Sequence, residues 1–389
     1  MQFCCKYENF SEKKMELNFQ SFERENLFKE LHNKKIYNEI ENINETIKKN
    51  NFDKLSINIS ETNKYSKIKE TRDKEKIFGL CNIGFTCYMN SFLQILFHSP
   101  EFLSEINKFK GKSTRNVIIN NLFKIIKNPN NENNLYDFKS SLKLISKDYS
   151  DFRQNDSQQF GIDLIEEIIS EVKNEQYLKT ESQSDTNDSY EINPKQDYEK
   201  FLKKYQNNMI SLEKMFSVNE YTISQKNGKK EIRFETFLNI NLFFPKQNNN
   251  KCFSLKHSLN ELFDLKYNKS NNKKIRICNF PDILILTIVR VVLEQDIKYY
   301  KNELEFPKIL QLKEYADKDI TKSDKSEYIL FGVNKKMGYL GNNGHYYCEI
   351  KINDIWYKFD DSNFKSGIEF YNVSDEVVGL FYAKNKNFI

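Results

Sequence analysis

The sequence predicts an α+β fold in which helices come first and a sheet follows. From Thr86 onward the apolar residues recur every three or four positions, from about residue 210 they alternate with polar ones, and no strand–helix–strand alternation appears anywhere. Met89, Phe92, Leu93, Leu96 and Phe97 fall at i, i+3, i+4, i+7 and i+8, which predicts an amphipathic helix stopped by Pro100. Phe160, Leu164, Ile165, Ile168, Ile169 and Val172 form a second stripe, with Asp156 near its start, where a carboxylate suits the helix dipole. The sheet is read from the alternation of Phe234, Thr236, Leu238 and Ile240, and from β-rich runs at 283–292, 328–333, 346–352, 356–359 and 380–383.

Composition narrows the function classes. A chain of 389 residues with 39% hydrophobic residues, 11 Gly and 6 Pro is long enough for a large core and is neither collagen-like nor Pro-rich. Its net charge of +5 comes from interspersed signs, so no nucleic-acid footprint is indicated. The longest apolar run, 283–293, is too short to span a membrane and contains Arg290, and no signal-peptide core opens the chain. An intracellular protein, cytoplasmic or nuclear, is expected. Seven cysteines make a poor disulfide framework and fit free thiols. With no Cys-x-x-Cys pair and four histidines, neither a metal nor a cofactor is expected. Residues 1–76, dense in Lys, Glu and Asn, stand apart as an N-terminal extension. Its helical stripe of Leu27, Leu31, Ile36, Ile40, Ile43 and Ile47 leaves two readings, a docking helix for a protein partner or a partly disordered tail. Residues 77–389 form the main unit, and the acid-rich stretch 174–199 reads as a mobile insertion in it.

Cys87 opens the first predicted helix, where free amides and the dipole favour a thiolate. A cysteine of this kind is either a small buried hydrophobe or a nucleophile. A nucleophile needs a base, and among His32, His98, His257 and His345 the last follows a Gly-rich segment and begins a strand. A hairpin of 346–352 with 355–359 would bring Asp360 beside His345, giving Cys, His and Asp in triad roles; the competing reading makes Asp360-Asp361 simply a turn. Asn82 likewise has two readings, a turn residue or a side-chain amide that joins the Cys87 N–H in holding an oxyanion.

These residues sit in motifs that resemble the ubiquitin-specific proteases, a papain-like family of deubiquitinases. Residues 79–94, GLCNIGFTCYMNSFLQ, resemble their Cys box; Gly344-His345-Tyr346 followed by residues 356–362, WYKFDDS, resembles their His box. Gln154 to Phe160 resembles the family's Gln-x-Asp-x-x-Glu-Phe segment, and Phe280 to Arg290 its Leu-Pro-x-x-Leu to Arg strand. The resemblance implies a helical thumb at about 77–209, and fingers with an antiparallel palm sheet at about 210–389. It implies hydrolysis of the isopeptide bond after the C-terminal Gly of ubiquitin through a thioester. Cys87 is the implied nucleophile, His345 the base, Asp360 its orienter, Asn82 the oxyanion donor and Asp361 an assisting group. Asp156, Gln159, Gly344 and Tyr346 are the implied contacts to the modifier, and Gly338, Gly341 and Gly344 resemble the loop that closes over its tail.

The chain departs from the family pattern in three places. Residues 216–237 contain no Cys, so fingers without a zinc site are expected, held by strand pairing and packing. Gln159 stands where an acidic residue is expected to pair with the tail's first Arg, and Lys336 stands where His is usual. Two alternatives therefore stay open: the same chemistry on another ubiquitin-like modifier, and a non-catalytic ubiquitin-binding scaffold.

Overall fold

The computed structural model describes residues 77–174, 181–183, 192–205, 209–226, 229–244, 251–263, 273–293, 297–321, 326–338 and 344–385. The expectations for residues 1–76, for most of 174–191 and for Gly341 lie outside these. The helices used below are α1 (Cys87–Phe97), α2 (Pro100–Asn107), α3 (Val117–Lys127), α4 (Glu132–Ser141), α5 (Ser157–Lys173), α6 (Pro194–Tyr205) and α7 (Leu255–Phe263). The strands are β1 (Glu181–Gln183), β2 (Val218–Lys226), β3 (Lys229–Phe237), β4 (Ile240–Phe243), β5 (Lys273–Ile277), β6 (Ile283–Val289), β7 (Glu327–Met337), β8 (His345–Ile352), β9 (Ile355–Asp360), β10 (Asn363–Ser366) and β11 (Val377–Lys384).

Helix α1 is buried on every side, although its pattern predicts one wet face. Its polar residues find protein partners instead of water. Asn90 donates to the carbonyls of Leu80 and Cys81, Gln94 Nε2 donates to Phe78 O at 2.8 Å, and Ser91 pairs with Ser157 Oγ at 3.2 Å. The helix lies between α5 and the palm strand β8. Gly161 on α5 lets the two helices approach, because a Cβ there would collide with the ring of Phe92. Pro100 ends α1 as expected and also starts α2 at its first turn, with the Ser99 hydroxyl accepting from Phe102 N.

The palm is an eight-stranded sheet ordered β10-β9-β8-β7-β11-β6-β4, with Ile309–Gln311 pairing on β7. Helices α1–α5 cover one face and a second hydrophobic cluster, including Leu255, Leu259 and Phe263 of α7, packs against the other. Strand β6, ILILTIV, is buried at all seven positions, which is why its sequence is a continuous apolar run and not an alternation. The sheet is antiparallel except for β4 and β6, which run parallel, a correction to the all-antiparallel expectation. A parallel neighbour needs a long crossover, and the segment carrying α7 and β5 supplies it.

The fingers are a four-stranded sheet, β1-β3-β2-β5. Here the reading of 174–199 as a mobile insertion needs correction for its described parts: Glu181–Gln183 pairs with β3, and Pro194–Tyr205 is a helix. Tyr198 and Phe201 of α6 stack on Phe234 of β3 with ring centroids at 5.7 and 5.4 Å, beside Tyr221, Ile232 and the buried Cys278. An aromatic cluster thus ties this helix to the finger sheet. Among the described residues no helix is long and apolar enough to cross a membrane.

Arg290, just past β6, is buried at 3% exposure and donates to the carbonyls of Val377 (2.8 Å), Tyr300 (3.0 Å), Asn302 (2.8 Å) and Ser374 (3.3 Å), with its guanidinium 4.9 Å from the Phe244 ring. These carbonyls come from separate segments and converge on one planar donor fork. Arg290→Ala would strand them in the core, and thermal or denaturant unfolding should show a loss of about 3 to 5 kcal/mol. A loss below about 1 kcal/mol, the size of one ordinary hydrogen bond, would deny Arg290 this role.

Candidate active site

The site lies where the start of α1 faces the hairpin β8–β9. In that hairpin Cys348 pairs with Phe359, so Asp360 at the end of β9 returns close to His345 at the start of β8. His345 Nε2 lies 2.6 Å from Asp360 Oδ1, which leaves Nδ1 for the sulfur of Cys87, with which the imidazole hydrogen bonds. The other carboxylate oxygen of Asp360 meets Lys358 Nζ at 3.4 Å. The hydrogen bond with Cys87 pushes the imidazole of His345 up to about 9, burial works against this, and the Asp360 carboxylate adds to it. Burial by itself would raise the Asp360 carboxyl, but the hydrogen bond and charge of His345 and the nearby Lys358 hold it below the usual carboxylate range.

Asn82 is exposed, and its side chain makes the turn that one of the two readings gave it. Its Oδ1 accepts from Gly84 N and Thr86 N, each at 3.1 Å, and so fixes the turn before Cys87. Its Nδ2 donates to Asp361 Oδ2 at 2.9 Å, and a side-chain amide has a second hydrogen to offer an incoming oxygen. Asp361, in a left-handed turn at φ 52°, also accepts from Asn90 Nδ2 at 2.8 Å, and its carbonyl accepts from Leu80 N at 2.9 Å. This residue therefore ties the Cys box to the end of the hairpin.

Of the implied substrate contacts, Asp156 caps α5, its Oδ1 accepting from Gln159 N at 2.8 Å. Gln159 turns its amide to Asp163 Oδ1 at 2.6 Å, and Asp163 also accepts from Tyr149 Oη at 2.6 Å. The carbonyl of Gly344 accepts from Gln154 Nε2, which also points at Cys87 Sγ from 3.7 Å. Tyr346 departs from its expected role: at 2% exposure it lies beneath the cleft, because on β8 its side chain takes the inward turn of the strand alternation. Two residues missing from the sequence-based set belong to the site, Gln154 and Asn90. The signal for Gln154 was present, since it opens the Gln-x-Asp segment. His345, Asp360 and Asp361 bring one metal-type ligand atom each within 4.8 Å of one another, but each is already engaged in the hydrogen bonds above.

A thiol at a helix N-terminus, an imidazole on the facing sheet and a carboxylate behind it form the arrangement of papain-like thiol hydrolases. The chain belongs to the ubiquitin carboxyl-terminal hydrolase family, whose sequence model matches residues 78–382. It is 24% identical over 347 residues to ubiquitin carboxyl-terminal hydrolase Usp2 of Drosophila melanogaster, covering 82% of this chain and 36% of that protein. It is also 24% identical over 345 residues to ubiquitin carboxyl-terminal hydrolase 4 of Arabidopsis thaliana, covering 81% of this chain and 90% of that protein. The chain thus spans little more than a third of the first relative and nearly all of the second. Among solved structures, the Ubp8-Sgf11-Sgf73-Sus1 SAGA DUB module is similar with a TM-score of 0.59 at 22% identity, over 80% of this chain and 68% of that one. The same module bound to ubiquitin aldehyde gives a TM-score of 0.59 at 21% identity, over 82% of this chain and 72% of that one. These likenesses give the fold: an α+β thumb, palm and fingers.

Proposed function

We propose that this chain hydrolyses the isopeptide or peptide bond that follows the C-terminal Gly of ubiquitin. The observation that carries the reading is the Cys87–His345–Asp360 constellation at the thumb–palm cleft, inside the segment matched by the family. In this reading the Cys87 sulfur attacks the Gly carbonyl, and the negative oxygen is held by the Cys87 N–H and the spare Asn82 amide hydrogen. The His345 imidazolium then gives its proton to the leaving amine. Water, deprotonated by the neutral His345, cleaves the thioester and frees the carboxylate. Asp360 keeps the Nε2–H of His345 turned away from the sulfur. An intracellular setting is part of the same reading, supported by Cys81, Cys87, Cys252, Cys278 and Cys348 all being free thiols.

The test is covalent capture. The recombinant chain is mixed with ubiquitin carrying a C-terminal electrophile, beside probes of other ubiquitin-like modifiers, and adducts are scored by intact mass. An adduct with ubiquitin that is lost in Cys87→Ala supports the reading. Labelling by another modifier alone would move the reading to that modifier, for which Gln159 in place of an acid is the favouring observation. No adduct from folded protein would leave only the binding scaffold.

Its pH dependence should follow His345. Because its folded value of about 9 lies above the ordinary 6.5, the proton donor persists through neutral pH, and the alkaline limb of kcat/KM should fall near pH 9. The matching stability contribution is complete below pH 6.5 and is lost as pH rises through about 9. Asp360→Ala removes one of the raising interactions, so the limb should move to lower pH; an unmoved limb would separate Asp360 from His345.

A further inference from the structure

The sulfur that would attack in the proposed reaction is covered. Cys87 is 4% exposed, yet a carbonyl carbon must come within about 3 to 3.5 Å of the sulfur to be attacked. His345 lies against the sulfur as the base, and Gln154 reaches it from the segment just before α5. Gln154 Nε2 donates to the carbonyl of Gly344, at the start of β8, and points at Cys87 Sγ from 3.7 Å. An amide nitrogen carries the two hydrogens that this needs. One side chain thus crosses from thumb to palm beside the sulfur, on ground that an incoming carbonyl has to share.

The backbone on either side of Gln154 is held. The Phe152 ring lies on Gly84, where φ is +109° and a Cβ would meet the ring at 3.1 Å. Asn155 Nδ2 donates to the carbonyls of Asp148 and Arg153, each at 3.2 Å, and Asp156 caps α5. With both flanks fixed, the part that can turn is the Gln154 side chain itself, an unbranched stem on a half-buried residue. Turning it outward exchanges the bond to Gly344 for bonds to water, and it strands no charge, because an amide and a carbonyl are both neutral. The carbonyl it releases is then open to the N–H of an entering peptide, which needs an acceptor as it leaves water.

We propose that Gln154 is a displaceable latch: its amide, bonded to Gly344 O across the cleft, keeps the Cys87 sulfur covered until an entering peptide turns it aside. The inference rests on the isopeptidase reading for the identity of that peptide, and its first test needs no modifier. The full chain is alkylated with iodoacetamide from pH 7 to 10, and the Cys87 peptide is quantified by mass, with the exposed Cys252 as internal control. The quantity read is the rate on the alkaline plateau, where the sulfur is already thiolate and access alone sets the rate. Breaking one ordinary hydrogen bond shifts an equilibrium about two- to tenfold, so Gln154→Ala should raise the plateau by that factor and leave Cys252 unchanged. Gln154→Met, which keeps the length and loses the donor, should fall between the parent and Ala. With a ubiquitin conjugate as substrate, both variants should also lower KM, because affinity is reduced by the fraction of molecules in which the site is closed. Unchanged plateaus in both variants would overturn the proposal. A Met variant as slow as the parent would do the same, since bulk and not the bond to Gly344 would then close the site. A raised KM would make Gln154 a group that holds the substrate and not one that excludes it. Faster alkylation of the variants in a chain that turns over no ubiquitin conjugate would support the latch and count against the proposed substrate.

Discussion

Cys87→Ala should abolish turnover of a ubiquitin conjugate, with a loss on the order of 10⁶ in kcat, the scale seen when the nucleophile of a triad is deleted. The expectation follows from position as well as type. Cys87 is 4% exposed, its helix ends in free amides at the cleft, and its sulfur is met by His345 and by Gln154 Nε2 at 3.7 Å. No other described cysteine shares these neighbours: Cys348 is fully buried in β8, Cys278 lies in the finger cluster, Cys252 is exposed on a strand opposite Glu303, and the half-buried Cys81 lies in the segment before α1. Removing one sulfur from a helix start that keeps its backbone should leave the fold and the cleft intact, so modifier binding measured by calorimetry should persist. Residual hydrolysis above about a thousandth of the parent rate would remove Cys87 from the nucleophile's place, since what survives loss of a triad member is catalysis by binding and the oxyanion hole.

How far the site could be read from sequence depended on how local its geometry is. The helix start at Cys87 and the hairpin that returns Asp360 to His345 are short-range structures, fixed by a hydrophobic stripe and by two adjacent strands, so both were legible. Helix α6 was hidden for the opposite reason. Tyr198, Phe201 and Tyr205 are spaced i, i+3 and i+7, but they stand among charged residues, and the ring that gives them a core, Phe234, arrives on a strand formed much later in the chain. The polar residues of α1 misled in the same manner, because periodicity can mark a polar face but cannot show that the segment before the helix will cover it with carbonyls. Tyr346 lost its expected prominence because strand alternation turns its side chain inward, beneath the cleft.

Asn82→Ala should cost roughly 10² to 10³ in kcat with little change in KM, the range for deleting one oxyanion donor. The structure gives this substitution two separable consequences, loss of the donor and loss of the acceptor that holds Gly84 N and Thr86 N. Asp361 distinguishes them. It touches Nδ2 of Asn82 and not Oδ1, so Asp361→Ala releases the donor's aim while leaving the turn bonds in place. If Asn82 works through its donor, Asp361→Ala should slow kcat as well, and adding it to Asn82→Ala should change little further, because two residues acting through one group are not additive. A double-mutant cycle on kcat, with thermal unfolding followed in parallel, measures this coupling. A change under about threefold for Asn82→Ala, against the hundredfold expected of an oxyanion donor, would return Asn82 to the turn alone. Full additivity of the two variants would show that the Asp361 side chain acts through Asn90, on the shape of the Cys box and not on the oxyanion.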